Sequence, residues 1–126
     1  MEKMTVLIID DNELNLKLCK ILLTLGKYKV LEAVNAEQGI EMARDRCPDL
    51  IIMDIHLPGI DGFTATRIIK ENPDLKEIPI IALTSYAMQE DEKKATEAGC
   101  DGYMTKPIDT RSFLDTIKQL INHNRA

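Results

Sequence analysis

Leu50-Ile51-Ile52-Met53-Asp54 sets four apolar residues in succession and then an acid. A strand with one wet face alternates apolar and polar residues. An unbroken apolar run is what a strand needs when both of its faces are covered, as in a parallel sheet. Val6-Leu7-Ile8-Ile9, followed by Asp10-Asp11-Asn12, repeats the pattern, as does Ile80-Ile81-Ala82-Leu83, followed by Thr84 and Ser85. Strands are therefore predicted at Thr5–Ile9, Lys29–Ala33, Leu50–Met53, Ile78–Leu83 and, more weakly patterned, Gly102–Thr105.

The segments between them have helical periodicity. Leu14, Leu18, Ile21, Leu22 and Leu25 fall at i, i+4, i+7, i+8 and i+11 before Gly26 stops the helix, and Phe113, Ile117, Leu120 and Ile121 repeat the spacing. Ala36–Arg46 and Gly62–Asn72 also read as helices, the second ended by Pro73. Gln89–Ala98 has helical propensity but few large apolar residues, so it should pack least firmly of the set. Strand and helix alternate throughout, which predicts an α/β fold. It is a flavodoxin-like (βα)5 unit with a doubly wound parallel sheet in the order 2-1-3-4-5. The functional crevice of such a sheet lies beyond the carboxyl ends of its strands.

Composition narrows the function. The chain has 126 residues, 44% hydrophobic and 29% charged, with 16 basic and 21 acidic side chains and a net charge of −5. At ~100–200 residues per domain this predicts one domain over residues 1–126, with a core over about 4–122. No apolar run approaches the ~20 residues of a membrane span, and Met1–Asp11 lacks the features of a secretion signal, so a soluble, cytoplasmic protein without membrane partners is expected. The cations are scattered and the aromatics are three Tyr and two Phe, which argues against direct nucleic-acid binding. Cys19, Cys47 and Cys100 lack disulfide or zinc spacing and are expected to be buried, reduced thiols.

The groups beyond the strands are Asp10, Asp11 and Asn12 after the first, Asp54 after the third, Thr84 after the fourth, and Lys106-Pro107 after the fifth. In the order 2-1-3-4-5 the first and third strands are neighbours, so the three aspartates should converge. Crowded carboxylates resist full ionisation unless a cation sits among them. Oxygen-only ligands in an open site suit Mg²⁺, with Mn²⁺ as a substitute the site would tolerate. A lysine and a hydroxyl alongside suit an anion, and the set describes a pocket for a phosphoryl group on, or arriving at, a carboxylate. Taken singly, each group has a plainer reading: Asp11 or Asn12 as a helix cap, Asp54 as a turn residue, Lys106-Pro107 as a solvated loop. Matched chemistry at four strand ends tips the balance.

The runs Val6–Asn12, Asp49–Gly62 (DLIIMDIHLPGIDG), Ile80–Thr84 and Gly99–Pro107 (GCDGYMTKP) together resemble the receiver domains of two-component response regulators over nearly the whole chain. Asp11-Asn12-Glu13-Leu14-Asn15 and the compact length further resemble stand-alone receivers of the DivK type and the receivers of phosphorelay kinases. The resemblance implies that Asp54 is the phosphoacceptor for a histidine kinase or phosphotransfer protein. It implies that Asp11, Asp54 and the His56 backbone carbonyl bind Mg²⁺ directly and Asp10 through water. Lys106 would neutralise phosphoryl oxygens, Thr84 would bond the attached group, and a cis bond would precede Pro107. Thr84 and Tyr103 would form the switch, acting on the face of the fourth helix, fifth strand and fifth helix for protein–protein output. His56 and Tyr86 would modulate the lifetime of the acyl phosphate, and Leu14, Asn15, Pro107 and Ile108 would meet the phosphodonor.

Such a chain is a signalling switch that catalyses only its own phosphorylation and dephosphorylation. It is expected to be a monomer or weak dimer that passes its output to a downstream protein. Met1 and the polar tail Asn122–Ala126 point to a stand-alone protein. A flavodoxin-like nucleotide binder would need an anion loop where Asp10-Asp11-Asn12 stand. An aspartyl phosphatase would need a cap and a nucleophile after the first strand. A degenerate receiver would lack part of the set Asp10, Asp11, Asp54, Thr84 and Lys106.

Overall fold

In the computed structural model, which describes residues 3–84 and 89–125, five parallel strands alternate with five helices. They are β1 (Thr5–Ile9), α1 (Glu13–Leu25), β2 (Lys29–Ala33), α2 (Ala36–Arg46), β3 (Leu50–Asp54), α3 (Gly62–Glu71), β4 (Ile80–Thr84), α4 (Gln89–Ala98), β5 (Gly102–Thr105) and α5 (Phe113–Arg125). The sheet order is β2-β1-β3-β4-β5, as expected. Val6 pairs with Leu50 and Ile9 with Met53, and Asp54 pairs with Leu83 on the other side of β3.

The unbroken apolar runs are explained by two-sided burial. Val6, Ile8, Leu50, Ile52, Ile81 and Leu83 face Leu16, Cys19 and Leu23 of α1 and Phe113, Ile117 and Ile121 of α5. Leu7, Ile9, Ile51, Met53 and Ile80 face the other way, against Ile40 and Ala43 of α2 and Ala65 and Ile69 of α3. At ~25 cal/mol per Å² of apolar surface, these layers dominate the stability of the fold. The α4 flank is thin: its buried side chains from Asp91 to Ala98 are Ala95 and Ala98, and Ala95 packs with Ile55 and Ala82.

Three local expectations need correction. Strand β4 starts at Ile80, not Ile78, because the Ile78 N–H turns back to Leu75 O, 3.0 Å away, and Pro79 has no N–H to give. Strand β3 carries Asp54 itself, whose N-terminal neighbours continue the same pairing. Of the three cysteines only Cys19 is buried; Cys100 is half-buried and Cys47 is exposed. Cys47 caps the C-terminus of α2 at φ 44°, a left-handed position that turns the chain at the surface.

The periodic stripe of α1 also divides. Leu22 is buried and Leu18 half-buried, whereas Leu14, Ile21 and Leu25 are 77, 59 and 71% exposed. The face turned to the sheet is Leu16, Cys19, Leu22 and Leu23. Helix α1 is thus apolar on two sides, and only one is used by the fold. Among the described residues no helix is long and apolar enough to cross a membrane.

Candidate phosphoacceptor and metal site

Asp10, Asp11, Asp54 and Lys106 meet at the carboxyl edge of the sheet. One carboxylate oxygen from each of the three aspartates lies within 4.8 Å of the others. Asp10 is fully buried, Asp54 is 4% exposed, and Asp11 faces solvent. The Lys106 ammonium lies 3.2 Å from Asp10 Oδ2 and 3.3 Å from Asp54 Oδ2, bridging the ends of β1 and β3. The Lys106 N–H donates to Thr84 O, tying the end of β5 to β4, and the Lys106–Pro107 bond is cis as expected.

Backbone donors steer the carboxylates. Asp10 Oδ1 accepts the Asn12 N–H at 2.9 Å, and Asp54 Oδ1 accepts the His56 N–H at 2.9 Å. Asn12 is the N-cap of α1 and accepts the Asn15 N–H, so the helix begins immediately beside the acids. Gly62 opens α3 directly behind the end of β3. A Cβ there would stand 2.5 Å from Asp54 O and 2.5 Å from Ile55 Cα, so this approach of helix to strand requires glycine.

Burial raises the Asp54 pKa above the ordinary carboxylate value; Asp10 adds to this, and the His56 N–H and Lys106 oppose it. For Lys106 burial pulls downward, but Asp10 and Asp54, by charge and hydrogen bond, outweigh it and hold the ammonium above the usual lysine value. One lysine therefore serves two carboxylates and cannot fully neutralise the three. The donor set fits a small hard cation: it is oxygen-only, on rigid strand ends, and open through Asp11.

Thr84 is fully buried at the end of β4, the strand between β3 and β5. Burial, Asp91 and Glu92 all raise the pKa of Tyr103 on β5, while the Thr84 side chain opposes them. Pairing in register puts Thr84 opposite Thr105, one residue before Lys106.

The model of the family "Response regulator receiver domain" matches residues 6–118. This chain belongs to the response-regulator receiver family. The receiver is 39% identical to the polar-differentiation response regulator DivK of Brucella anthropi over 117 residues, 93% of this chain and 95% of that protein. The Brucella ovis DivK is 38% identical over the same shares. Among solved structures, a CheY-like receiver domain protein from Methanospirillum hungatei superposes with TM-score 0.91 at 27% identity, covering 98% of each chain. The receiver domain of the Pseudomonas aeruginosa sensor histidine kinase PA1611 superposes with TM-score 0.89 at 30% identity, covering 96% of this receiver and 99% of that chain. That structure has a magnesium ion coordinated in its active-site cleft.

The remaining residues singled out in the sequence are distributed around this receiver's pocket. His56 is exposed on the loop after β3, and Leu14 and Pro107 are exposed at the rim. Ile108 is 7% exposed and packs in the core with Phe113, so it supports the rim from beneath and does not present itself to a partner. Tyr86 lies outside the described residues. Asn15 is half-buried, with its side-chain amide turned inward to donate to Asp10 Oδ2. Sequence pattern alone does not reveal that inward bond. The signal was an amide residue three positions after the cap Asn12, where the first helical turn points back to the strand end.

Proposed function

We propose that this receiver accepts a phosphoryl group on Asp54 from a phosphohistidine of a histidine kinase or phosphotransfer protein. An Asp54 carboxylate oxygen attacks phosphorus, an O–P bond forms as the P–N bond breaks, and the imidazole leaves and takes up a proton. The observation that carries this reading is the convergence of Asp10, Asp11 and Asp54 on one point with Lys106 3.3 Å from the Asp54 carboxylate. Mg²⁺, or Mn²⁺ in its place, would supply charge neutralisation for the incoming phosphoryl oxygens. Asp11, Asp54 and the His56 carbonyl would hold it, and Asp10 would act through water. Lys106 binds a phosphoryl oxygen as the group transfers, and the fixed strand ends provide positioning, which is most of what phosphoryl transfer demands.

Attachment adds about −1.5 to −2 charge and new acceptor oxygens. Thr84 turns to bond the phosphoryl group and Tyr103 moves into the space it leaves, and the change spreads through the thinly packed α4 to the α4–β5–α5 face. That face would carry output to a downstream protein in the cytoplasm, without nucleic-acid or membrane contact, from a monomer or weak dimer. The whole chain would work as one receiver unit, with no turnover beyond its own phosphorylation and dephosphorylation. His56 and Tyr86 would set the lifetime of the phosphoryl group. The donor would dock at Leu14, Asn15 and Pro107, over Ile108. The exposed Leu14, Ile21 and Leu25, with Leu18, continue from the pocket along α1 at i, i+4, i+7 and i+11. This is the seam spacing that a helix of the donor would match.

Incubation with acetyl phosphate or phosphoramidate and Mg²⁺, followed by intact mass, tests the reading. One phosphoryl adduct is expected, absent without the metal and absent in Asp54→Asn. No adduct, or one retained in Asp54→Asn, would overturn it.

A further inference from the structure

Asp10 is a fully buried carboxylate, so bulk water does not solvate it and its direction is set by protein donors. Three reach it. The Asn12 N–H meets Oδ1 at 2.9 Å, the Asn15 amide Nδ2 meets Oδ2, and the Lys106 ammonium lies 3.2 Å from Oδ2 and 3.5 Å from Oδ1. The lysine is a poor guide to orientation. It is shared with Asp54, straddles both oxygens of Asp10, and its three N–H bonds rotate freely on a long stem. Two hydrogen bonds to two different oxygens define the carboxylate plane, and those are the bonds from Asn12 and Asn15.

We propose that Asn15 is a positioning residue of the pocket, its side-chain amide locking the Asp10 carboxylate in the plane that a divalent cation requires. The proposal rests on the reading that Asp10, Asp11 and Asp54 hold Mg²⁺. Asn15 is itself firmly held. Its backbone N–H donates to Asn12 Oδ1 at 3.0 Å, and the next residue of α1, Leu16, is buried against the sheet. The amide's orientation follows from its partner, because a carboxylate only accepts and the Asn15 oxygen would be repelled there. A carboxylate offers about four lone-pair sites, and three donors occupy most of them. What remains suits one water on the ion more than direct, bidentate ligation, in keeping with the outer position expected of Asp10. A side chain that orients a ligand in this way typically changes metal affinity by about 10–100-fold when removed.

The test is a Mg²⁺ titration of the full chain followed by ¹H–¹⁵N NMR, with no phosphodonor present. Wild type, Asn15→Leu and Asn15→Gln are compared, with thermal melts in metal-free buffer alongside. Asn15→Leu keeps the shape and removes the donor, and it should weaken Mg²⁺ binding by roughly 10-fold or more. Asn15→Gln, which restores an amide, should recover most of that loss. Equal affinity in wild type and Asn15→Leu would overturn the proposal while leaving the metal site standing. So would a fall in melting temperature without a change in affinity. No saturable binding in wild type would instead overturn the metal reading, and this inference with it. If Asn15→Leu does not fold, the Asn15 side-chain amide resonances decide. They should be protected from solvent exchange in wild type and shift in Asp10→Asn; exchange at the free rate would overturn the proposal.

Discussion

Helices α1 and α4 approach the same pocket from opposite flanks, and they are built to different standards. Helix α1 puts Leu16, Cys19, Leu22 and Leu23 against the sheet, whereas the buried side chains of α4 from Asp91 onward are two alanines. The first flank carries Asn12 and Asn15, whose bonds orient Asp10, and geometry there must not drift. The second flank borders Thr84 and Tyr103, the pair assigned to the switch, and a switch needs an element whose displacement costs little. The difference teaches that one pocket can have a rigid wall and a soft one, and that the softness is written in side-chain volume.

The contrast can be broken most directly by truncation. Leu23→Ala should lower the unfolding free energy by about 2–5 kcal/mol, since it opens a cavity in a fully packed layer. Ala95→Gly should cost roughly 1 kcal/mol, mostly helix propensity. Urea denaturation measures both, and equal losses would show the two flanks to be alike.

A smaller effect concerns charge at the rigid wall. The folded-state pKa of Asp54 lies above its unfolded value, so the folded chain holds the extra proton between the two. Stability therefore falls as pH rises through that window, and above it the ionised Asp54 is a cost in metal-free buffer. Asp54→Asn should accordingly raise the melting temperature without Mg²⁺; each ~1 kcal/mol recovered corresponds to roughly 2–8 °C. Saturating Mg²⁺ should stabilise wild type and shrink the gap. A variant less stable than wild type in metal-free buffer would mean that Lys106 already balances the pocket.

The smallest effect is read from two thiols that sample the two flanks. Burial pushes the Cys19 thiol beneath α1 up to about 12, and Asp10 adds to it. Cys100, which follows α4 and packs beside Ala95 and Thr66, is also raised by burial but is only half-buried. In a Cys47→Ser background, which removes the exposed thiol, Cys100 should react with a disulfide reagent at pH 8 well before Cys19. The reverse order would place the soft wall under α1.

Much of this was legible because burial on both faces leaves runs such as Val6–Ile9 and Leu50–Met53 unbroken, and each run delivers its chemistry at its end. The convergence of Asp10, Asp11 and Asp54 followed from strand order alone, whereas Lys106 reaches them from the end of β5, two strands from β3, on the length of its side chain. Helix α1 was less legible: with Leu14, Ile21 and Leu25 on one side and Leu16, Cys19 and Leu23 on another, periodicity identifies a helix but not its inward face. Cys47 is exposed against expectation because composition says nothing of a left-handed cap, which exposes what it carries. Asn15 read as a surface group because a side chain's direction depends on where the first helical turn sits relative to the strand end.

The bond between Lys106 and Asp10 closes a loop of 96 residues in sequence. The acids stand early in the chain and the ammonium that balances them near its far end, so a ribosome delivers Asp54 well before Lys106. During synthesis Asp54 emerges before this counter-charge, and β5, the strand that brings Lys106 into place, is the last of the five described strands to be made. A product cut short before residue 106 would keep all three aspartates and lack the ammonium that faces Asp10 and Asp54, so on the proposed function it would be a poor phosphoacceptor.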